Sequence, residues 1–214
     1  MHYFFNPDIE KKDIFLPEDE MKHLRVRRIT EKETFGILDG RGSIYYCHYK
    51  NKQILLKKVE KVKPLDDFTV SSPFPEGKRV HFLIEKLAEF GLKKFIPLVT
   101  ERTQLTKTNR DKMGKYLIEG MKQSGNPYMC EITEPMKLGD LLGLKWSSIY
   151  YGEKKGQKIN RFKRGSLLII GPEGGFTEEE KEEIQKAKAI AVSFSRFTLR
   201  MESAVISFLA NISK

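Results

Sequence analysis

The chain has 214 residues, 39% of them hydrophobic and 32% charged, which allows one large or two modest packed domains and excludes a disordered chain. No apolar run approaches a membrane span, and the start, "MHYFFNPDIEKK", lacks the basic end and apolar stretch of a signal peptide, so a cytoplasmic protein without membrane attachment is expected. The formal net charge of +10 is unevenly spread and favours a polyanionic partner, most simply nucleic acid.

The first stretch of chain reads mostly as β. "PEDEMKHLRVRRI" is a short helix beginning after Pro17, and it carries Arg25, Arg27 and Arg28 close together. "TFGILDG" and "SIYYCHYK" flank Gly40-Arg41-Gly42, a hairpin signal, and Asn51-Lys52 sets off a further strand, "QILLKKVEKV". The pattern suits a small β-barrel with little room for an enzyme site. The chain divides near Lys63-Pro64-Leu65-Asp66-Asp67, which predicts one domain over 1–65 and a second over 66–214.

Beyond that point helices and strands alternate. "KRVHFLIEKLAEFG" has helical apolar spacing and ends at Gly91, a natural C′ glycine. "KFIPLV" is a buried strand and "RDKMGKYLIEGMKQSG" the next helix. "SSIYYG", "LLIIG" and "AIAVSFS" are short strands, and "ESAVISFLANI" is the last helix. Alternation of this kind predicts an α/β domain with a largely parallel sheet. Cys47 and Cys130 lie far apart with no metal-ligand spacing around them, so they read as reduced core thiols.

"LLIIGPEGGFTEEEKEEI" (167–184) is a buried strand, a glycine turn and an acidic helix. It lacks the Lys and Ser/Thr of a P-loop, and it lies too late in the domain for a dinucleotide fingerprint. Thr177 and Glu180 form a capping box, and Glu178, Glu179, Glu182 and Glu183 complete a helix start that repels phosphate. A ligand without phosphate, pressed against glycine backbone, fits this turn, and a cationic one fits better. S-adenosylmethionine has both properties, although a tight strand-to-helix turn accounts for the glycines almost as well. Two more strand ends carry polar loops: Thr100–Thr103 with Arg102, and the link 193–200 with Arg196 and Arg200. If the three converge at the carboxyl edge of the sheet, they make one site. Residues 152–165, "GEKKGQKINRFKRG", set Lys154, Lys155, Lys158, Arg161, Lys163 and Arg164 against the single acid Glu153, which marks a nucleic-acid-binding loop.

"LIIGPEGGFTEEE" followed by "LRMESA", together with "EKLAEFGLKKFIPLVTERT" and "EGMKQSGNPYMCEI", resembles the RsmE family of ribosomal RNA methyltransferases in the SPOUT superfamily. Order and spacing match along the whole chain. Phe194, Ser195, Arg196 and Phe197 depart from the family's Leu-Gly-Pro-Arg, Met201 replaces a common Thr, and Asn126 replaces a usual Arg. The resemblance implies a PUA-like β-barrel followed by a SPOUT-type parallel sheet with a C-terminal trefoil knot, a homodimer, no metal, and methyl transfer from S-adenosylmethionine to N3 of a uridine in 16S ribosomal RNA or the small ribosomal subunit. Cofactor contacts are then expected from Tyr151, Gly152 and Glu153, from Ile170, Gly171, Pro172, Glu173, Gly174 and Gly175, and from Phe194, Ser195, Arg196, Phe197, Leu199, Arg200 and Met201.

The reaction must aim the ring, take the N3 proton and stabilise charge on O2 and O4. Arg200 is the expected charge stabiliser, since a guanidinium offers a fixed fork of donors. Glu202 is the expected base or the orienter of Arg200, with first-turn helix stabilisation as its plain alternative. Glu173 meets the sulfonium or the uracil edge, or only shapes the turn. Arg25, Arg27, Arg28, Arg102, Lys154, Lys155, Arg161 and Arg164 are expected to hold RNA, the basic loop and the three N-terminal arginines through its phosphates. A SPOUT 2′-O-ribose methyltransferase and a non-catalytic ribosome-assembly factor are the alternatives.

Overall fold

The computed structural model describes residues 1–12, 14–64, 67–103, 109–159 and 161–212. Along the chain run β1 (Tyr3–Phe5), α1 (Glu18–Val26), β2 (Phe35–Leu38), β3 (Ser43–Lys50), β4 (Gln53–Lys61), β5 (Phe68–Ser72), α2 (Lys78–Glu89), β6 (Lys94–Val99) and α3 (Arg110–Ser124). Then follow β7 (Glu131–Ile132), β8 (Met136–Lys137), α4 (Leu138–Leu142), β9 (Ile149–Gln157), β10 (Ser166–Ile169), α5 (Glu178–Lys186), β11 (Ile190–Val192) and α6 (Met201–Ile212).

The N-terminal sheet is ordered β1-β2-β3-β4. β1 pairs parallel with β2, and β2-β3-β4 is an antiparallel meander. Asn51 and Lys52 both take positive φ (50° and 61°), the left-handed pair that a two-residue hairpin needs. Among the described residues the sheet runs as a ladder with β1 and β4 at its ends. Leu24 of α1 packs on one face with Phe4, Phe35, Ile37, Tyr45 and Cys47, and Phe4 meets Phe35 edge-on at 5.3 Å. Leu38 and Ile44 instead join the core of the second sheet.

The two regions are also joined through the segment after α3. Gly42 N–H donates to the Pro127 carbonyl at 3.0 Å, Met129 N–H to Gly40 at 3.0 Å, and the Tyr128 hydroxyl to Val62 at 2.6 Å. Asn126 Nδ2 donates to the carbonyls of Ala88 (2.8 Å) and Tyr128 (3.1 Å), tying the end of α2 to this segment. Leu65 and Asp66, within the expected boundary, lie outside the described residues.

The second sheet is ordered β11-β9-β10-β5-β6-β7, with every neighbouring pair parallel and β8 pairing with the far end of β6. Of its interior strands, β10, β5 and β6 are buried on both faces, as in a covered parallel sheet, and β5 sets polar side chains, Thr69 and Ser71, on one of them. Leu168, Val70 and Phe95 face α2, α3 and α6, while Leu167, Ile169 and Ile96 face α4 and α5. Phe208 of α6 anchors the first layer, edge-on to Phe68, Phe162 and Phe194 at 4.9–6.2 Å. Its truncation to alanine would cost about 3–5 kcal/mol.

α2 stops as its sequence indicates: Gly91 is left-handed (φ 70°), its N–H donates to Ala88, and Leu92 N–H donates to Leu87 at 2.9 Å. Both cysteines are free and buried; burial pushes the Cys47 thiol up to about 12 and raises Cys130 as well. They are core packing residues without accessible thiolate chemistry.

Candidate active site

The glycine turn leaves β10 at the carboxyl edge of the sheet. Gly175 is left-handed (φ 70°) and its N–H donates to the Pro172 carbonyl at 2.9 Å. A Cβ on Gly171 would stand 2.8 Å from the Phe176 ring. These two glycines are therefore required by the turn itself, whatever it binds.

The start of α5 is closed by its own residues. Thr177 Oγ1 accepts from Glu180 N–H at 3.3 Å, and Glu180 Oε2 accepts from Thr177 N–H at 2.9 Å, the expected capping box. Glu180 Oε1 also accepts from Glu101 N–H at 2.9 Å, which ties the end of β6 to the helix. Two of the donors at the helix start are thus committed, and the exposed Glu178 and Glu179 repel a phosphate.

Arg102, from the same end of β6, donates to the Gly174 carbonyl at 2.7 Å. It was expected on the RNA; this bond also ties it to the glycine turn. The link after β11 is ordered by its serines: Ser193 Oγ donates to Ser195 O and Phe197 N–H to Ser195 Oγ, both at 3.1 Å. Tyr151 of β9 pairs with Ala191 of β11, yet Gln157 pairs with Val192, so 152–156 bulge outward at the rim. Lys154 and Lys155 accordingly lie on the irregular end of β9, where a free loop was expected.

The three strand ends and the β9 bulge enclose a cavity of about 700 Å³. Tyr151, Gly152, Glu153, Ile170 to Gly175, Phe194, Ser195, Phe197, Leu199, Arg200 and Met201 all line it, together with Arg102 and Lys154. Arg196 is the exception among the expected contacts: it does not line the cavity, and its guanidinium lies 5.8 Å from the exposed Phe197 ring. Thr198, and Lys181 and Gln185 from the inner face of α5, also line it and were missed. The α5 pair had a signal, since 181, 184 and 185 follow helical spacing.

Glu173 lines the cavity with an exposed side chain, and one of its oxygens is already paired. Arg79 Nη1, from the first turn of α2, sits 2.5 Å from Glu173 Oε1 and 3.8 Å from Glu202 Oε1. The Arg79 hydrogen bond holds the Glu173 carboxyl below the usual carboxylate range, and Glu173 in turn raises Arg79. Glu202 is buried, 5% exposed, in the first turn of α6, and its Oε2 has no hydrogen-bond partner. Nothing in the α2 sequence pattern singles out Arg79, which looks like one more surface cation at a helix start.

Arg25, Arg27 and Arg28 are exposed at and just past the end of α1, and Lys155, Arg161 and Arg164 are exposed along the basic stretch. No helix among the described residues is long and apolar enough to cross a membrane.

A parallel α/β sheet with a glycine turn and a cavity at its carboxyl edge, beside an acidic, self-capped helix start, makes a site for a ligand without phosphate. A family model for an RNA methyltransferase domain matches residues 61–213, and one for an RNA methyltransferase PUA domain matches 16–60. Ribosomal RNA small subunit methyltransferase E of Aquifex aeolicus (strain VF5) is 30% identical over 225 residues, covering 98% of each chain. The Borreliella burgdorferi protein named ribosomal RNA small subunit methyltransferase E 1 is 30% identical, with 92% of this chain and 90% of that one covered. A ribosomal RNA small subunit methyltransferase E from Neisseria gonorrhoeae, solved bound to S-adenosyl methionine, superposes with a TM-score of 0.84 at 21% identity, covering 98% of this chain and 95% of that one. The chain belongs to the ribosomal RNA small subunit methyltransferase E family.

Proposed function

We propose that this chain transfers a methyl group from S-adenosylmethionine to N3 of a uridine in 16S ribosomal RNA. The observation that carries the reading is the convergence of the glycine turn, the β9 bulge and the Arg200 link on one cavity. Its character suits the cofactor. Its volume accommodates a ligand of that size, Ile170, Phe194, Leu199 and Met201 offer an apolar bed, and Glu153 and Glu173 supply negative charge near a cation. When bound, the cofactor supplies a methyl group on a sulfonium with a good leaving group. Tyr151 to Glu153, Ile170 to Gly175, and Phe194, Ser195, Phe197, Leu199 and Met201 are the residues to hold it.

Arg200 is set to donate to the uracil carbonyl oxygens, where charge grows as N3 loses its proton and forms its bond to carbon. Glu202 is set to take that proton, because its Oε2 is an acceptor without a donor. Glu173, paired with Arg79 through one oxygen, shapes the turn and adds its charge to the cofactor site. Arg25, Arg27, Arg28, Lys154, Lys155, Arg161 and Arg164 hold the flanking RNA through phosphates, positioning it without reading sequence. The trefoil knot, the division near residue 65 and a two-copy assembly belong to the same proposal; the assembly predicts a light-scattering mass near twice 24.9 kDa.

The test is to incubate the protein with methyl-labelled S-adenosylmethionine and small ribosomal subunits or 16S RNA, then digest to nucleosides and identify the product by mass spectrometry. Label on uridine N3 is the expected result. Label on a ribose oxygen, or RNA binding with no transfer, would replace the reading with one of its two alternatives.

A further inference from the structure

Several ion pairs in this protein join neighbours on one helix in solvent, such as Lys22 with Glu18 and Lys186 with Glu182, and pairs of that kind contribute little. Arg79 is different. Its side chain, 31% exposed, reaches from α2 to two carboxylates on separate elements. One is Glu173 of the glycine turn, and the other is the buried Glu202 of α6. Glu76 also acts on Arg79, and Arg200 acts on Glu173, so the cluster holds three carboxylates and two guanidiniums.

A buried carboxylate is costly unless it is paired and hydrogen-bonded. Glu202 has Arg79 near one oxygen and no partner on the other. Glu202 does not itself line the cavity, but its flanking residues Arg200, Met201 and Ala204 do, and so does Glu173 across Arg79, which puts the carboxylate next to the cavity wall. An unsatisfied acceptor in that place has a use if the substrate brings the missing donor. The imide N–H of an unstacked uracil is such a donor.

We propose that Arg79 is a positioning residue for methyl transfer: clamped between Glu173 and Glu202, it holds the Glu202 carboxylate so that its second oxygen meets the N–H of the target base. The inference rests on the reading of Glu202 as the proton acceptor. Arg79 touches neither cofactor nor RNA in this arrangement; it acts through Glu202 alone.

The experiment is a double-mutant cycle read by single-turnover methylation of small ribosomal subunits, with cofactor affinity by calorimetry and RNA affinity by filter binding. Arg79→Met should slow transfer about tenfold or more while leaving both affinities within about twofold of wild type, a loss specific to the transition state. Arg79→Lys, which keeps the charge without the fork, should recover part of the rate. In a Glu202→Gln background, Arg79→Met should produce no further loss. A loss of the same factor in both backgrounds overturns the Arg79 inference alone, as does an Arg79→Met enzyme at the wild-type rate. A Glu202→Gln enzyme at the wild-type rate overturns both the inference and the role of Glu202 beneath it. If Arg79→Met melts early, Arg79→Lys in the two backgrounds makes the same comparison.

Discussion

Two helices begin beside the cavity, and they begin in opposite ways. α5 satisfies its first turn from its own sequence: Thr177 and Glu180 cap each other, and the remaining glutamates face solvent. α6 opens with Met201 and Glu202 both buried, and the carboxylate of Glu202 relies on Arg79 from a distant helix. A self-capped helix start is a stability device worth about 1 kcal/mol. A helix start that buries a half-satisfied carboxylate next to an arginine costs stability, and such costs concentrate at functional sites. On the proposed function the difference gives α5 a structural part and α6 the chemical one, although both start with an acid in the first turn and both flank the same cavity.

That comparison breaks most directly at Arg200. Arg200→Ala and Arg200→Lys should each lose roughly a hundredfold or more in single-turnover rate, the scale of one missing oxyanion-type donor. Folding and cofactor affinity should stay near wild type. A folded Arg200→Ala enzyme at an ordinary rate would move the chemistry away from the α6 side.

The next effect tests the basic stretch that leads away from the cavity. The triple variant Lys155→Gln, Arg161→Gln, Arg164→Gln should weaken RNA binding and reduce the slope of log K against log salt by roughly 0.7 for each phosphate that is no longer neutralised. Cofactor affinity should not change. An unaltered slope in filter binding would make the basic stretch a solvated face.

Thr177→Ala sharpens the comparison from the α5 side. It should cost about 1 kcal/mol in urea unfolding, the value of one N-cap, and leave the single-turnover rate within about twofold. A large rate loss at unchanged stability would give the α5 start a catalytic role after all.

The smallest effect is a titration. Glu173 should titrate by NMR below its ordinary value of 4.5, because Arg79 stabilises the charged form. Its folded-state value is depressed, so the pair's contribution is fully present above 4.5 and is lost as pH falls through the lower folded value. Arg79→Met should return the midpoint toward 4.5. A midpoint unmoved by that change would mean the pair does not form in solution.

The sequence by itself determined the helices, the hairpins and the glycine turn, because each is encoded by residues near one another in the chain. Gly91 ends α2, Asn51-Lys52 turns β3 into β4, and Thr177 with Glu180 starts α5; in each case the partners lie within a few positions. The family motifs also located all the expected cofactor contacts but Arg196 on the cavity wall, since the loops at the strand ends converge in any sheet of this order; the lining from α5 and from Ala204 of α6 was not located.

Tertiary structure decided the rest. β5 was missed because "FTVSS" ends in two serines, which read as a loop until Ser71 Oγ donates to the Ile96 carbonyl at 2.8 Å in the middle of the sheet. β1 is three residues long and exists only through its pairing with β2. Arg102 is tied to the glycine turn because the Gly174 carbonyl, distant in the chain, is within its reach. The clamp of Arg79 on Glu173 and Glu202 joins three elements far apart in the chain. Local sequence sets backbone propensity and period, whereas which charges share a low-dielectric corner depends on how the layers stack.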